Sequence, residues 1–295
     1  MPRGRHLDAT LSDEKRAVLY KAHRDRSATT YKKKHAVQYD HEFKVLTDAS
    51  PSMSVLEIGC GTGLFLRYLE DRGYREFVGL DMDEGLRHSL RDLARSEIYL
   101  EDVQTVLRNQ LAGRTFDRIV MLDVAEHLRL DVLQDLLQVL REHTVNGGKL
   151  LLRVPNVESP WGLKMFFGTF DHVTPLGPGR MHELALLTGW VCSGVFPQEP
   201  QRTFRRLKER ILNRVVGSFL SYHPDIWTAN LLAVYQSHKS KRTGPVLRRG
   251  PFCFVAASAV YSAAARSFFN RPERSSAART LSSSALVSGC NGFLG

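Results

Sequence analysis

Two stretches hold residues whose types and spacing suit chemistry. In VLEIGCGTGLFL (55–66) the acidic Glu57 precedes three glycines at alternate positions, Gly59, Gly61 and Gly63. Glycines let a chain pass close beneath a ligand, and the apolar residues that follow open a helix whose first N–H groups lack partners within the helix. A loop of this kind holds a nucleotide-like ligand. A dinucleotide loop, however, wants its third glycine three residues after the second, where Leu64 stands. A carboxylate beside the loop also repels a pyrophosphate and attracts an ammonium group. Spacing and charge together point to a ligand that carries an amino acid. In FDHVT (170–174) the His172 imidazole titrates near neutrality and can take a hydroxyl proton, with Asp171 adjacent to it. Adjacent residues of an extended chain point to opposite sides, so Asp171 need not be the group that orients His172. Two other roles stand beside base catalysis. His172 ties its loop to the sheet or, for a phosphate or carboxylate acceptor, binds the anion with Arg180 and Lys32 to Lys34.

The elements that position these residues follow from the apolar pattern. From Met53 the chain alternates as a doubly wound sheet does, with strands expected at 54–58, 76–80, 97–101, 116–122 and 149–154. Helices are expected at about 63–72, 83–95, 103–111 and 129–143. Asn146-Gly147-Gly148 signals a turn before the fifth strand. A helix at 181–188, a strand at 190–196 and a last strand within 227–236 complete the domain. Residues 11–48 carry helical patterning around a polar insert, HRDRSATTYKKKH (23–35), which makes 1–49 a helical lid ahead of a domain spanning 50–237.

VLEIGCGTG resembles motif I of the class I S-adenosylmethionine-dependent methyltransferases, and GLDMD (79–83) resembles the acidic end of their second strand. The resemblance covers roughly 50–236. It implies a Rossmann-like α/β fold with a seven-stranded sheet in the order 3-2-1-4-5-7-6, the last two strands forming an antiparallel hairpin at its edge. It also implies S-adenosylmethionine as cofactor. Glu57 and the loop at Gly59, Gly61 and Gly63 would hold its methionine part, Asp81 its ribose hydroxyls, Met82 the adenine face and Asp102 the adenine amino group.

The residues after the fourth strand separate the methyltransferase classes. LDVAEHL (122–128) has no Asn/Asp-Pro-Pro-aromatic stretch for an exocyclic amine, no Pro-Cys pair for cytosine C5 and no second glutamate for a guanidinium. It is similar to small-molecule and glycan O-methyltransferases, in which Asp123 borders the methionine end of the cofactor and Glu126 and His127 face the acceptor. The alternative for these two is local, with Glu126 capping the next helix and His127 on its surface. After the fifth strand, FFGTFDHVTPL (166–176) looks like the F-x-D-x-T-H-x-x-P pattern of polysaccharide-biosynthesis methyltransferases, with Asp171 where that pattern has threonine. Trp161, Phe166, Phe167 and Phe170 offer faces for a sugar ring or pack the loop. The resemblance implies O-methylation of a sugar, glycan or glycolipid-type acceptor. A small aromatic or quinone-type metabolite is the alternative, and a non-catalytic cofactor-binding protein or an RNA methyltransferase stand further off.

Charge and cysteines bound the remaining options. The chain of 295 residues carries a net charge of +10, but nine basic residues and a single acid lie from His238 onward, so the catalytic body is nearly neutral. A basic tail at 238–295, rich in Ser, Ala and Arg and expected to be disordered, does not make the domain a nucleic-acid binder. The insert QRTFRRLKERILNRVVGSFL (201–220) places Phe204, Leu207, Ile211, Val215 and Phe219 on one helical face. That face packs on the body or lies on an anionic membrane, and PFCFVAASAVYSAAA (251–265) is a second apolar stretch, too short to span one. The cysteines (60, 192, 253 and 290) form no C-x-x-C pair and no histidines cluster with them, so no metal is expected. With no apolar run in MPRGRHLD, a cytoplasmic location is expected, at most peripheral to the membrane.

Overall fold

A computed structural model describes residues 30–93, 96–199 and 203–238, with scattered residues between 15 and 25. The basic tail, the 251–265 stretch, Cys253, Cys290 and most of the lid before Thr30 lie outside the described residues, as do the side chains of Arg202, Phe204, Arg205 and Arg206.

Seven strands form a single sheet: β1 (Val55–Ile58), β2 (Phe77–Asp81), β3 (Glu97–Leu100), β4 (Phe116–Leu122), β5 (Thr144–Pro155), β6 (Val191–Pro197) and β7 (Asn230–Gln236). Their order is β3-β2-β1-β4-β5-β7-β6, the expected one. The first five run parallel, and β7 pairs antiparallel with both β5 and β6. Registers such as Ile58 with Leu80, Asp81 with Leu100 and Ile58 with Met121 align the C-terminal ends of four strands at one edge. The site forms at that edge.

Side chains of a strand alternate between faces, so each buried strand feeds two cores. Leu56, Ile58, Ile119, Met121, Leu150 and Leu152 pack under α4 (Val103–Arg108), α5 (Leu130–Glu142) and α7 (Pro178–Thr188). Val55, Val120 and Leu151 face the other way, towards α2 (Leu64–Asp71) and the lid. The lid consists of α1 (Lys33–Tyr39) running into a wider π turn at Asp40–Val45. Phe43 of that turn is fully buried, edge-on to Phe65 of α2 with ring centroids 5.0 Å apart. The helical lid therefore docks through aromatic packing.

Three expectations change in detail. Asn146-Gly147-Gly148 is no turn ahead of a strand but lies within β5: Gly147 N–H donates to the Ser237 carbonyl and Ser237 N–H to that of Gly148, both at 2.9 Å. The glycines absorb the local distortion, and pairing continues across it. The helix expected at 83–95 is a 3₁₀ turn, Glu84–Leu86, followed by a single helical turn, α3 (Arg87–Leu90), with Asp83 capping Gly85. The insert forms α8 (Thr203–Phe219), whose apolar face the described residues cover only in part. Leu207, Ile211 and Val215 are each more than half exposed and border a cavity of about 600 Å³ that Pro197, Ile226 and Trp227 also line. No helix among the described residues is long and apolar enough to cross a membrane.

Candidate active site

The glycine loop leaves β1 and folds back over the end of β2, where Gly59 and Cys60 both donate to the Leu80 carbonyl, at 2.7 and 2.9 Å. Gly59 has φ +74°, and a Cβ there would lie 2.4 Å from Val124 Cγ2, so the β4 turn passes directly against it. Gly61 N–H donates to Asp81 Oδ2 at 2.9 Å, while the space above Gly61 is open. Gly63 opens α2 with φ +77°, and its missing side chain makes room for Leu90 and Leu93. One glycine thus serves the β4 turn, one borders open space, and one packs the helix start.

Glu57 lies on the lid face of β1, almost entirely buried, and its Oε2 has no hydrogen-bond partner. Burial and the neighbouring Asp81 push its carboxyl well above the usual range, partly offset by Arg153. A buried carboxylate lacking a donor, beside a backbone cradle open to solvent, fits a ligand that brings an ammonium group. Asp81 ends β2, pinned through Oδ1 by Asp83 N–H and through Oδ2 by Gly61 N–H, both at 2.9 Å. Each oxygen retains a lone pair for a hydroxyl donor. Met82, next along, is 61% exposed and able to cover a planar group. Asp102, past the end of β3, accepts from the Thr105 amide and hydroxyl and so caps α4. The residues present fit S-adenosylmethionine.

Asp123 follows β4 with φ +59°, a left-handed conformation uncommon for a residue with a side chain. Arg153 of β5 holds it there, with Nε 3.0 Å from Asp123 Oδ1, and reaches Glu42 Oε2 of the lid at 3.0 Å through Nη1. Although burial disfavours its charge, Asp123 and Glu42 more than compensate and keep the guanidinium protonated. Glu42 also accepts from Gln38 at 2.8 Å and from Gln198 at 2.7 Å. Sequence reasoning missed Glu42, Arg153 and Gln198. The signal was present for Arg153, a lone charge inside the apolar run LLLRVP.

On the acceptor side the structure joins residues far apart in the chain. Glu126 and His127 sit in a 3₁₀ turn, Ala125–His127, while α5 begins only at Leu130 with Arg129 at its cap position. Glu126 is therefore no helix cap. It is 1% exposed, and its Oε2 lacks a hydrogen-bond partner. Burial and Asp123 hold its carboxyl well above the usual range. The Glu126 carbonyl accepts from Val173 N–H at 2.8 Å and Thr174 N–H at 3.1 Å, which laces the loop after β5 onto this turn. His172 is thereby set beside His127, ring centroids 4.6 Å apart. Asp171 lies beside His127 rather than its chain neighbour: its Oδ2 is 3.2 Å from His127 Nδ1, within ion-pair reach but off hydrogen-bond geometry, and its Oδ1 accepts from the Thr169 hydroxyl. His172 Nδ1 is 3.1 Å from the Phe166 carbonyl. A carbonyl only accepts, so Nδ1 carries the proton and Nε2 the lone pair. Phe166, the last residue of α6 (Pro160–Phe166), is buried against the His172 ring, whereas Trp161, Phe167 and Phe170 are 57, 76 and 87% exposed. Arg180 donates to the Pro175 carbonyl at 2.7 Å.

Comparison with known proteins agrees with this fold. Residues 31–206, more than half of the chain, match the family described as "Methyltransferase domain". The chain belongs to that family, and with this fold and site it is a class I S-adenosylmethionine-dependent methyltransferase. Similar solved structures include a SAM-dependent methyltransferase from Archaeoglobus fulgidus, 16% identical with a TM-score of 0.57, matching over 74% of this chain and 99% of that one. An S-adenosylmethionine-dependent methyltransferase from Mesorhizobium loti is 14% identical with a TM-score of 0.50, over 68% of this chain and 97% of that one. The plantazolicin methyltransferase BpumL, in complex with a monoazolic desmethylPZN analog and SAH, is 15% identical with a TM-score of 0.51, over 77% and 91%. No curated protein sequence matches the chain.

Proposed function

We propose that this methyltransferase acts on oxygen, with a sugar, glycan or glycolipid-type molecule as acceptor. The observation that carries the reading is the acceptor-side cluster, in which two imidazoles meet beside a buried carboxylate, with exposed aromatic rings on the same loop. Bound S-adenosylmethionine supplies a methyl group on a sulfonium, open to in-line attack. Glu57 with the backbone at Gly59 and Gly61 holds its methionine part, and Asp123 borders that end. Asp81 would accept from the ribose hydroxyls, Met82 would cover the adenine, and Asp102 would serve the adenine amino group. His172 is the candidate general base. Its Nε2 lone pair can take a hydroxyl proton, with His127 and Glu126 at its side. Trp161, Phe167 and Phe170 present faces on which a sugar ring can stack.

The same exposed rings also suit a small aromatic acceptor, the second reading. Incubation with methyl-labelled S-adenosylmethionine and a panel of nucleotide sugars, lipid-linked glycans and quinone precursors separates the two. Label in an alkali-stable ether of a sugar is the expected result. Label in phenolic acceptors alone transfers the assignment to the second reading, and label in RNA alone ends both.

A further inference from the structure

Glu126, His127 and His172 each bring a metal-ligand atom into one group, all within 4.8 Å of one another. We propose that these three side chains hold a divalent first-row cation, such as Mn²⁺, Fe²⁺, Co²⁺ or Zn²⁺, whose open positions take two neighbouring oxygens of the acceptor. This rests on reading the cluster as the acceptor side of a methyltransferase; with His172 on the cation, the hydroxyl is engaged by the cation, which raises its acidity so that its proton leaves to solvent.

Spacing is the first argument. Three donors about 2.1 Å from one tetrahedral cation stand about 3.4 Å apart, so ligand atoms that lie within 4.8 Å of one another need to draw in by up to about 0.8 Å per side chain. Glu126 is the second. A buried carboxylate whose Oε2 lacks a partner is costly, and a cation among the same side chains offsets that cost. Outer contacts are the third. Ligating histidines commonly direct their other ring nitrogen to a carboxylate or carbonyl, which fixes ring and tautomer. Here His127 Nδ1 faces Asp171 and His172 Nδ1 faces the Phe166 carbonyl, with the Thr169 hydroxyl holding Asp171 in turn. Two imidazoles and a carboxylate suit first-row cations, whereas Ca²⁺ and Mg²⁺ prefer all-oxygen sets. Three protein ligands leave positions open, and a vicinal diol, the commonest pairing of oxygens on a sugar, fills two of them. No pair of cysteines takes part, and no spacing motif marks the set because His172 arrives from a different loop.

The test uses the full chain, stripped with chelator and titrated with CoCl₂. We expect visible d–d absorption that saturates near one equivalent in wild type. Glu126→Gln and His172→Gln should lose it, and Asp171→Asn should weaken the apparent affinity by about 10- to 100-fold through misorientation of His127. Calorimetric binding of S-adenosylhomocysteine serves as the fold control, and every variant should retain it. Wild type that binds S-adenosylhomocysteine yet shows no cobalt band overturns the site, as does Glu126→Gln titrating like wild type. A normal cobalt titration in protein that fails to bind S-adenosylhomocysteine overturns the cofactor reading instead. Undiminished sugar methylation by metal-free enzyme leaves His172 as the base and removes the cation from the reaction.

Discussion

Arg153 Nη1 lies 3.0 Å from Glu42 Oε2, a buried ion pair that ties the fifth strand to the lid. Because Arg153 also holds Asp123, a single guanidinium couples the lid to the turn that borders the glycine loop. Removing one member of a buried pair leaves the other without compensation. Glu42→Gln keeps the shape, and Arg153 keeps Asp123, so urea unfolding should show a loss of about 2 kcal/mol. Arg153→Met strands two carboxylates and should cost about 3–5 kcal/mol. Equal losses in the two variants would place the coupling elsewhere.

Gly59 supports a second prediction. Alanine at φ +74° is strained by about 1–2 kcal/mol, and its Cβ would meet Val124 Cγ2 at 2.4 Å. Gly59→Ala should lower stability by more than the backbone strain alone and weaken S-adenosylhomocysteine binding in calorimetry. Val124→Ala added to it removes the contacting methyl, so it should recover the clash but not the strain. A double variant no more stable than Gly59→Ala would show that Val124 gives way freely.

Much of this was legible in the sequence, for identifiable reasons. Branched apolar runs separated by amphipathic segments fix a doubly wound sheet, and the strand order follows from the motif I resemblance, so the architecture and the places of Glu57 and Asp81 emerged as expected. Contacts that depend on how loops fold over the sheet edge did not. Nothing in FDHVT shows that Asp171 reaches His127 instead of His172, since that turns on the Val173 and Thr174 amides binding the Glu126 carbonyl. The exposure of Leu207, Ile211 and Val215 was illegible for a related reason: amphipathic spacing states that a face exists and not whether anything covers it.

The lid has a second attachment that should respond to acid. Asp40 Oδ2 lies 2.7 Å from Arg72 Nη2, and Oδ1 accepts from Tyr68 Oη at 3.1 Å. The hydrogen bonds from Arg72, then those from Tyr68, hold the Asp40 carboxyl below its ordinary value. A depressed folded pKa contributes stability that is present above the unfolded value, near 3.9, and is lost as pH falls through the folded one. Asp40→Asn should therefore be less stable than wild type at pH 7, by less than about 1 kcal/mol because both side chains are about a third exposed. The difference should close as unfolding is measured at progressively lower pH. A difference that persists in acid would assign the effect to packing.

Glu57 carries the opposite sign, and its prediction separates stability from function. Burial first and Asp81 second raise its folded pKa well above the ordinary carboxyl value. A raised folded pKa contributes stability that is complete below the unfolded value, near 4.3, and is lost as pH rises through the folded one. At neutral pH the ligand-free protein must then either ionise a buried carboxylate or retain its proton against solvent. Glu57→Gln removes that cost while preserving shape, so ligand-free Glu57→Gln should be more stable than wild type at pH 7 and equal to it near pH 4. The ammonium of S-adenosylhomocysteine loses its charged acceptor in the variant, which should weaken binding by about 10- to 100-fold, as for a hydrogen bond to a charged group. Urea unfolding across pH and calorimetry with S-adenosylhomocysteine measure the two effects separately. A variant that is less stable at pH 7, or that binds S-adenosylhomocysteine as tightly as wild type, would show that Glu57 serves the strand rather than the ligand.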